Sequence, residues 1–158
     1  MSAGLPVAGR WFETRRLADD VTLIWEPHVS PDVRCNIWHV RGRDRDLLVD
    51  SGMGMGRLRA EVALLAERPV TAVASHTHFD HVGGHHEFEE RLVHPAEAAI
   101  LAAPDNTATV ADNYVMADVI TALPRAGYDA ARYALVPAPP TGLIDEGDEI
   151  DLGNRLFR

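Results

Sequence analysis

The chain has 158 residues, of which 46% are hydrophobic and 25% are charged, a composition typical of one globular domain with a substantial apolar core. Its formal net charge of -9 at pH 7 argues against a nucleic-acid partner, which requires clustered Lys and Arg. The single cysteine, Cys35, excludes an internal disulfide. No stretch has the pattern of a signal peptide or the length of a membrane span, so we expect a cytoplasmic protein without a membrane partner.

The first half of the chain alternates predicted strands with predicted helices. Residues 4–16 are interpreted as an irregular arm. Apolar spacing over 58–67 predicts a helix that ends before Pro69, and Pro95 is placed to start a second helix that reaches Leu101. β-branched and aromatic runs predict strands at 21–25, 33–40, 46–50, 70–75 and 91–94, with the second and third of these paired antiparallel.

The second half of the chain is less clearly patterned. Residues 102–140 are rich in Ala, Pro and Asp, with weak helical periodicity over 114–123, which suggests a surface excursion or a flap over a site. Residues 143–158 predict two short strands joined by a turn at Gly153, the start of a second sheet. The mixed order of strands and helices favours a layered α/β architecture.

Four candidate metal ligands follow the predicted strand at 70–75: His76, His78, Asp80 and His81. In an extended loop His76 and His78 point to the same side and can share one ion. The chain then turns, so Asp80 and His81 can hold a second ion nearby. Imidazole and carboxylate are ligands that zinc prefers. Gly83 and the glycine after it allow another backbone segment to pass close by.

This motif resembles the HxHxDH signature of the metallo-β-lactamase superfamily, and Asp50 looks like the aspartate that ends a strand in that family. The resemblance implies an αββα sandwich of two mixed sheets, here the first half with the start of the second sheet. It also implies that His76 and His78 serve one metal and that Asp80 and His81 serve the other. Asp80 would orient a catalytic water, and Asp50 would support the ligands from behind.

The resemblance implies metal-assisted hydrolysis of an ester, thioester, lactone or similar bond in a small-molecule substrate. One or two Zn²⁺ ions would activate water, with two ions roughly 3.5–4 Å apart. An iron-dependent sulfur dioxygenase of the same fold is the alternative, because that branch uses the same motif around one iron. A third hypothesis is a catalytically incomplete subunit that acts by binding metal or a partner.

The motif alone does not complete a catalytic zinc site, which needs three protein ligands for one ion. The family draws its remaining ligands from the second half of the fold, and no histidine follows His94. We therefore expect residues 1–158 to be a single domain, incomplete at its C-terminus, with a longer chain, a partner or a second copy supplying the missing ligands. His85, His86 or His94 could also substitute. Cys35 is interpreted as a small buried hydrophobic residue.

Overall fold

A computed structural model describes residues 4–158 of the chain. The strands of this part are β1 (Glu13–Arg16), β2 (Val21–Trp25), β3 (Ile37–Val40), β4 (Asp46–Val49), β5 (Val70–Val73), β6 (Glu90–Val93), β7 (Gly142–Leu143), β8 (Ile150–Asp151) and β9 (Leu156–Phe157). The α-helices are short: α1 (Leu58–Glu61), α2 (Phe79–Val82) and α3 (Ala98–Ala102). One-turn 3-10 helices cover Ala63–Ala66, His85–Glu87, Pro95–Glu97, Ala111–Asn113, Met116–Asp118 and Ala130–Arg132.

Strands β1 to β7 form one mixed sheet in sequence order. The pairs from β1 to β4 are antiparallel, and the pairs from β4 to β7 are parallel. Val49 at the end of β4 lies opposite Val73 at the end of β5. The segments that follow these two strands therefore leave the same edge of the sheet, where α/β folds commonly place their sites.

The sheet has apolar residues on both faces. On one face Ile24, Ile37 and Leu48 are fully buried against the helices and loops. On the other face Val40 and Leu47 pack with Leu152, which lies next to the two-stranded sheet formed by β8 and β9. This start of a second sheet against the first confirms the layered α/β sandwich expected from the resemblance.

The helix predicted over 58–67 is interrupted. Leu58, Val62 and Leu65 are buried as the spacing predicted, but Val62 adopts an extended backbone with φ -106° and ψ 96°, and the chain resumes as a 3-10 helix. The arm at 4–16 also differs from expectation, because its last four residues form β1. All four β1 side chains are exposed, as suits a charged edge strand, so no apolar alternation marked it.

Residues 102–140 pack more closely on the protein than a loose flap would. Met116, Ile120, Tyr133 and Leu135 belong to the main buried cluster. After Ala102, which ends α3, the helical elements of the segment are 3-10 turns, and the weak helical periodicity over 114–123 corresponds to one of them, Met116–Asp118. Among residues 4–158, no helix is long and apolar enough to cross a membrane.

Candidate metal centre

The ends of β4 and β5 bring Asp50 next to the histidine motif. Asp50 N donates to Val73 O at 2.9 Å, which continues the β4–β5 pairing by one residue. The backbone of Asp50 then turns sharply, with φ at 65°. Aspartate tolerates this left-handed conformation better than most residues. The turn places its carboxylate under the loop that carries the candidate ligands.

The Asp50 carboxylate accepts three hydrogen bonds. Ser75 N donates to Oδ1 at 2.8 Å, and Ser75 Oγ donates to Oδ2 at 2.7 Å. His81 Nδ1 lies 2.8 Å from Oδ2. Burial alone would raise the pKa of Asp50, but the bonds from His81 and Ser75 outweigh burial and hold the pKa below its usual value. The carboxylate therefore stays ionised and fixes both the loop and the imidazole.

Three imidazoles converge above this carboxylate. The ring centroids of His76 and His78 are 4.5 Å apart, and those of His76 and His81 are 4.1 Å apart. Burial lowers the pKa of His76, and electrostatic repulsion from the neighbouring His81 and His78 lowers it further. Neutral imidazole is the form that binds a metal, so this environment suits a ligand.

The His81 imidazole lies between two carboxylates. Its Nδ1 faces Asp50, and its Nε2 lies 3.3 Å from Asp80 Oδ2. Burial lowers the pKa of His81, but hydrogen bonds to Asp50 and Asp80 outweigh burial and raise the pKa to about 12. Asp50 thus orients the ring from behind, and Asp80 and Nε2 lie together on the side away from Asp50. A carboxylate behind a metal-binding imidazole is common because it fixes the ring's orientation.

Backbone hydrogen bonds hold the turn after Asp50 in close contact with the end of the histidine motif. Ser51 N donates to His81 O and Gly83 N donates to Gly52 O, both at 2.8 Å. A Cβ added at Gly83 would lie 2.1 Å from the carbonyl carbon of Met53. Only glycine fits there, which confirms that the pair after the motif permits a close backbone approach.

The other histidines proposed as ligands have different surroundings. His85 is fully buried with Nδ1 2.6 Å from Ser51 Oγ, and burial lowers its pKa to about 4. His94 contacts Asp145 at 3.2 Å through Nε2. His86 Nδ1 is buried and has no hydrogen-bond partner within residues 4–158. His85 and His94 are thus held by other partners. His76 and His78 remain the candidate pair for one ion.

Cys35 also contacts the centre, which the sequence did not indicate. It is buried as expected, but its Sγ lies 3.6 Å from His81 Nδ1. Among the described residues, one group of three His, Cys, Asp or Glu side chains has potential ligand atoms that all lie within 4.8 Å of one another. It consists of Cys35, Asp50 and His81. Burial raises the pKa of the Cys35 thiol. The sequence pattern did not indicate this contact, because 46 positions separate Cys35 from His81.

Glu26 is a second residue near the centre whose contacts the sequence spacing did not indicate. Its fully buried carboxylate accepts hydrogen bonds from Trp11 Nε1 at 2.9 Å and from Met53 N at 3.0 Å. Burial raises its pKa to about 7, although these two bonds act in the opposite direction. Glu26 therefore holds the turn after Asp50 against the core.

Comparison with known proteins agrees with the geometry. Residues 30–158 match the family model of the metallo-beta-lactamase superfamily. Over 155 residues the chain is 41% identical to "Acyl-coenzyme A thioesterase MBLAC2" of Gallus gallus, covering 92% of this chain and 55% of the relative. The Homo sapiens protein of the same name is 34% identical over 157 residues, covering 92% and 56%. The chain thus spans about half the length of these relatives.

Solved structures show the same fold. The subclass B3 metallo-beta-lactamase BJP-1 of Bradyrhizobium japonicum superimposes with a TM-score of 0.60 at 17% identity, covering 94% of this chain and 52% of that one. A beta-lactamase from Chitinophaga pinensis gives a TM-score of 0.58 at 19% identity, covering 98% and 54%. The sequence match and the shared architecture together establish that this chain belongs to the metallo-β-lactamase superfamily.

Proposed function

We propose that the protein is a metal-dependent hydrolase of thioesters, with acyl-coenzyme A as the substrate class. The observation that carries the proposal is the convergence of His76, His78 and His81 at the edge of the sheet, backed by Asp50. The substrate class is supported by the relatives named as acyl-coenzyme A thioesterases, at 34–41% identity.

The side chains divide into two candidate ligand pairs. His76 and His78 would hold one zinc ion, and Asp80 with Nε2 of His81 would hold a second. A bound zinc ion supplies a water of lowered pKa and polarises the substrate carbonyl. Asp80 would orient the attacking water through its carboxylate. The hydrogen bond between Asp50 and Nδ1 of His81 would keep Nε2 of that ring facing away from Asp50.

The site needs ligands beyond those described. A catalytic zinc ion takes three protein ligands, and His76 and His78 supply two. We propose that the third comes from the part of the fold that the longer relatives contain, either in the same polypeptide or in a partner chain. Activity is then a property of the completed fold.

The test is hydrolysis of acyl-coenzyme A by the natural full-length protein. The free thiol that hydrolysis releases is the measured quantity. Activity should disappear on dialysis against a chelator and return with Zn²⁺. The paired substitution His76→Ala and His78→Ala should reduce it at least 100-fold, the scale on which zinc-activated water contributes to hydrolysis. His94→Asn is the matched control, because His94 lies outside the cluster, and it should retain activity.

Three outcomes would reject the proposal. Hydrolysis that survives the paired substitution would place the chemistry elsewhere. Reactivation by Fe²⁺ but not by Zn²⁺, together with oxygen uptake, would point to the dioxygenase branch instead. A complete absence of turnover in a folded, zinc-loaded protein would favour a non-catalytic subunit.

A further inference from the structure

Ser51 connects the turn after Asp50 to the backbone of His81. Ser51 N donates to His81 O at 2.8 Å, and Ser51 Oγ lies 3.2 Å from the same carbonyl oxygen. Asp50, the preceding residue, contacts the imidazole of the same histidine at Nδ1. Two consecutive residues therefore fix one candidate ligand, Asp50 at its side chain and Ser51 at its backbone.

Two further groups approach the Ser51 hydroxyl from the chain that follows His81. Gly84 N donates to Oγ at 3.0 Å, and His85 Nδ1 lies 2.6 Å from Oγ. Gly84 can come this close because it has no side chain: an added Cβ would lie 2.9 Å from Ser51 O. Depending on the tautomer of the ring, His85 Nδ1 donates to the hydroxyl or accepts from it. In both cases the contact is a hydrogen bond.

The His85 ring is neutral and closed off from solvent. It is 0% exposed, and burial lowers its pKa to about 4, so it carries no charge near neutral pH. A buried neutral ring does not act as an acid or a base toward a substrate. An apolar side chain of similar size would fill the same space without desolvating polar nitrogens. What the imidazole adds is therefore its hydrogen bond to Ser51.

These contacts attach the chain after β5 to the chain after β4 at two points. Ser51 N holds His81 O, and Ser51 Oγ holds Gly84 and His85, three and four residues further along. The segment from His81 to His85 is thus anchored at both ends. Because Asp50 directly precedes Ser51, the same anchoring fixes the Asp50 carboxylate relative to the His81 imidazole.

We propose that His85 is a positioning residue for the candidate metal centre. By binding Ser51 it holds the backbone of His81 against the turn that carries Asp50, so Nε2 of His81 keeps the direction that a metal ligand needs. Supporting residues of this kind commonly determine metal affinity without touching the metal. The inference rests on the proposed function, because it takes His81 as a ligand.

The test is the zinc affinity of the natural full-length protein, measured by competition with a zinc-binding dye. His85→Leu keeps a side chain of similar size but removes Nδ1, and it should lower zinc affinity about tenfold, the lower end of the range for residues that support a ligand. His85→Asn is the matched control. Its amide offers a donor and an acceptor at about the position of Nδ1, so it should restore affinity to near the wild-type value.

A double-mutant cycle distinguishes this role from a general effect on the fold. Ser51→Ala removes only the hydroxyl and should lower zinc affinity by a factor similar to that of His85→Leu. Since His85 acts through Ser51, the double variant should lose no more affinity than either single variant. Ser51→Ala is the milder change, and unchanged zinc affinity in this variant would overturn the proposal whatever leucine does to folding.

Two further results would overturn the proposal. One is an equal loss of zinc affinity in the leucine and asparagine variants at His85, which would assign the effect to the shape of the ring. The other is a loss of about 100-fold in the double variant, the product expected of two independent residues. A wild type that binds zinc but does not hydrolyse acyl-coenzyme A would instead reject the proposed substrate class, so the two failures are distinguishable.

Discussion

Asp50 Oδ2 and His81 Nδ1 lie 2.8 Å apart, although 31 residues separate them in the chain. The contact exists because β4 and β5 are parallel neighbours that end at the same edge. It links the turn after one strand to the candidate ligands after the next. Metal binding by His81 should therefore depend on a residue that does not itself need to touch the metal.

Asp50→Asn tests this dependence. Asparagine tolerates the left-handed backbone at this position but lacks the charge that fixes the imidazole. We expect zinc affinity to fall about 10- to 100-fold, as is typical when a residue supporting a ligand is changed. Competitive titration with a zinc-binding dye measures it. Asp145→Asn, which alters the exposed contact with His94, is the control. Equal affinities for both variants would mean that Asp50 has no supporting role.

Gly83→Ala tests the close backbone approach. The added methyl would lie 2.1 Å from Met53 C and 2.2 Å from Gly54 N, and backbone cannot move aside as a flexible side chain can. We expect a loss of about 3 kcal/mol in the free energy of unfolding, at the upper end for overpacking. Urea denaturation provides the measurement. Gly9→Ala is the control, because a Cβ there meets nothing within 4 Å. Similar stability of the two variants would contradict the packing described.

Tyr133→Phe tests how residues 102–140 support the centre. The Tyr133 hydroxyl lies 2.7 Å from Met53 O, in the turn after Asp50, and 3.3 Å from Phe79 O, at the start of α2. Its removal leaves a buried carbonyl without this donor, which should cost about 1–3 kcal/mol of stability. Thermal unfolding should show a lowered midpoint for this variant. Tyr114→Phe, at a residue that is 42% exposed, should unfold like the wild type, and a matching loss there would refute the specific role.

Glu26 predicts a pH dependence of stability. Its pKa is about 7 in the folded protein, against 4.5 for an ordinary glutamate, so the folded state holds the proton more tightly. The stability that protonated Glu26 contributes is complete below pH 4.5 and is lost as pH rises through 7. The loss is on the order of 3 kcal/mol.

Comparison with Glu26→Gln isolates this contribution. His85 titrates with the opposite sign, since its pKa is lowered to about 4, so the wild-type profile alone is not diagnostic. Urea unfolding of both proteins between acidic and mildly alkaline pH should show a stability difference that shifts in favour of the glutamine variant as pH rises. A difference that does not change with pH would show that Glu26 does not titrate in this range.

The sequence predicted the parts of the protein that local patterns encode. Strand β2 was predicted with its exact bounds, and the motif at 76–81 follows β5 as expected. Edge strand β1 was missed because its side chains are exposed and charged. The contacts of Cys35 and Glu26 depend on residues far apart in sequence, and one chain's spacing cannot encode such contacts. The assignment of metal ligands remains a prediction.

The most direct measurement of the central claim is metal content. Purified protein would be loaded with Zn²⁺, dialysed and analysed by inductively coupled plasma mass spectrometry, with circular dichroism to verify folding. The wild type and His94→Asn should retain the same zinc per chain, and the paired substitution His76→Ala and His78→Ala should retain markedly less. Unchanged zinc content in the folded double variant would contradict the assignment of the motif as the metal centre.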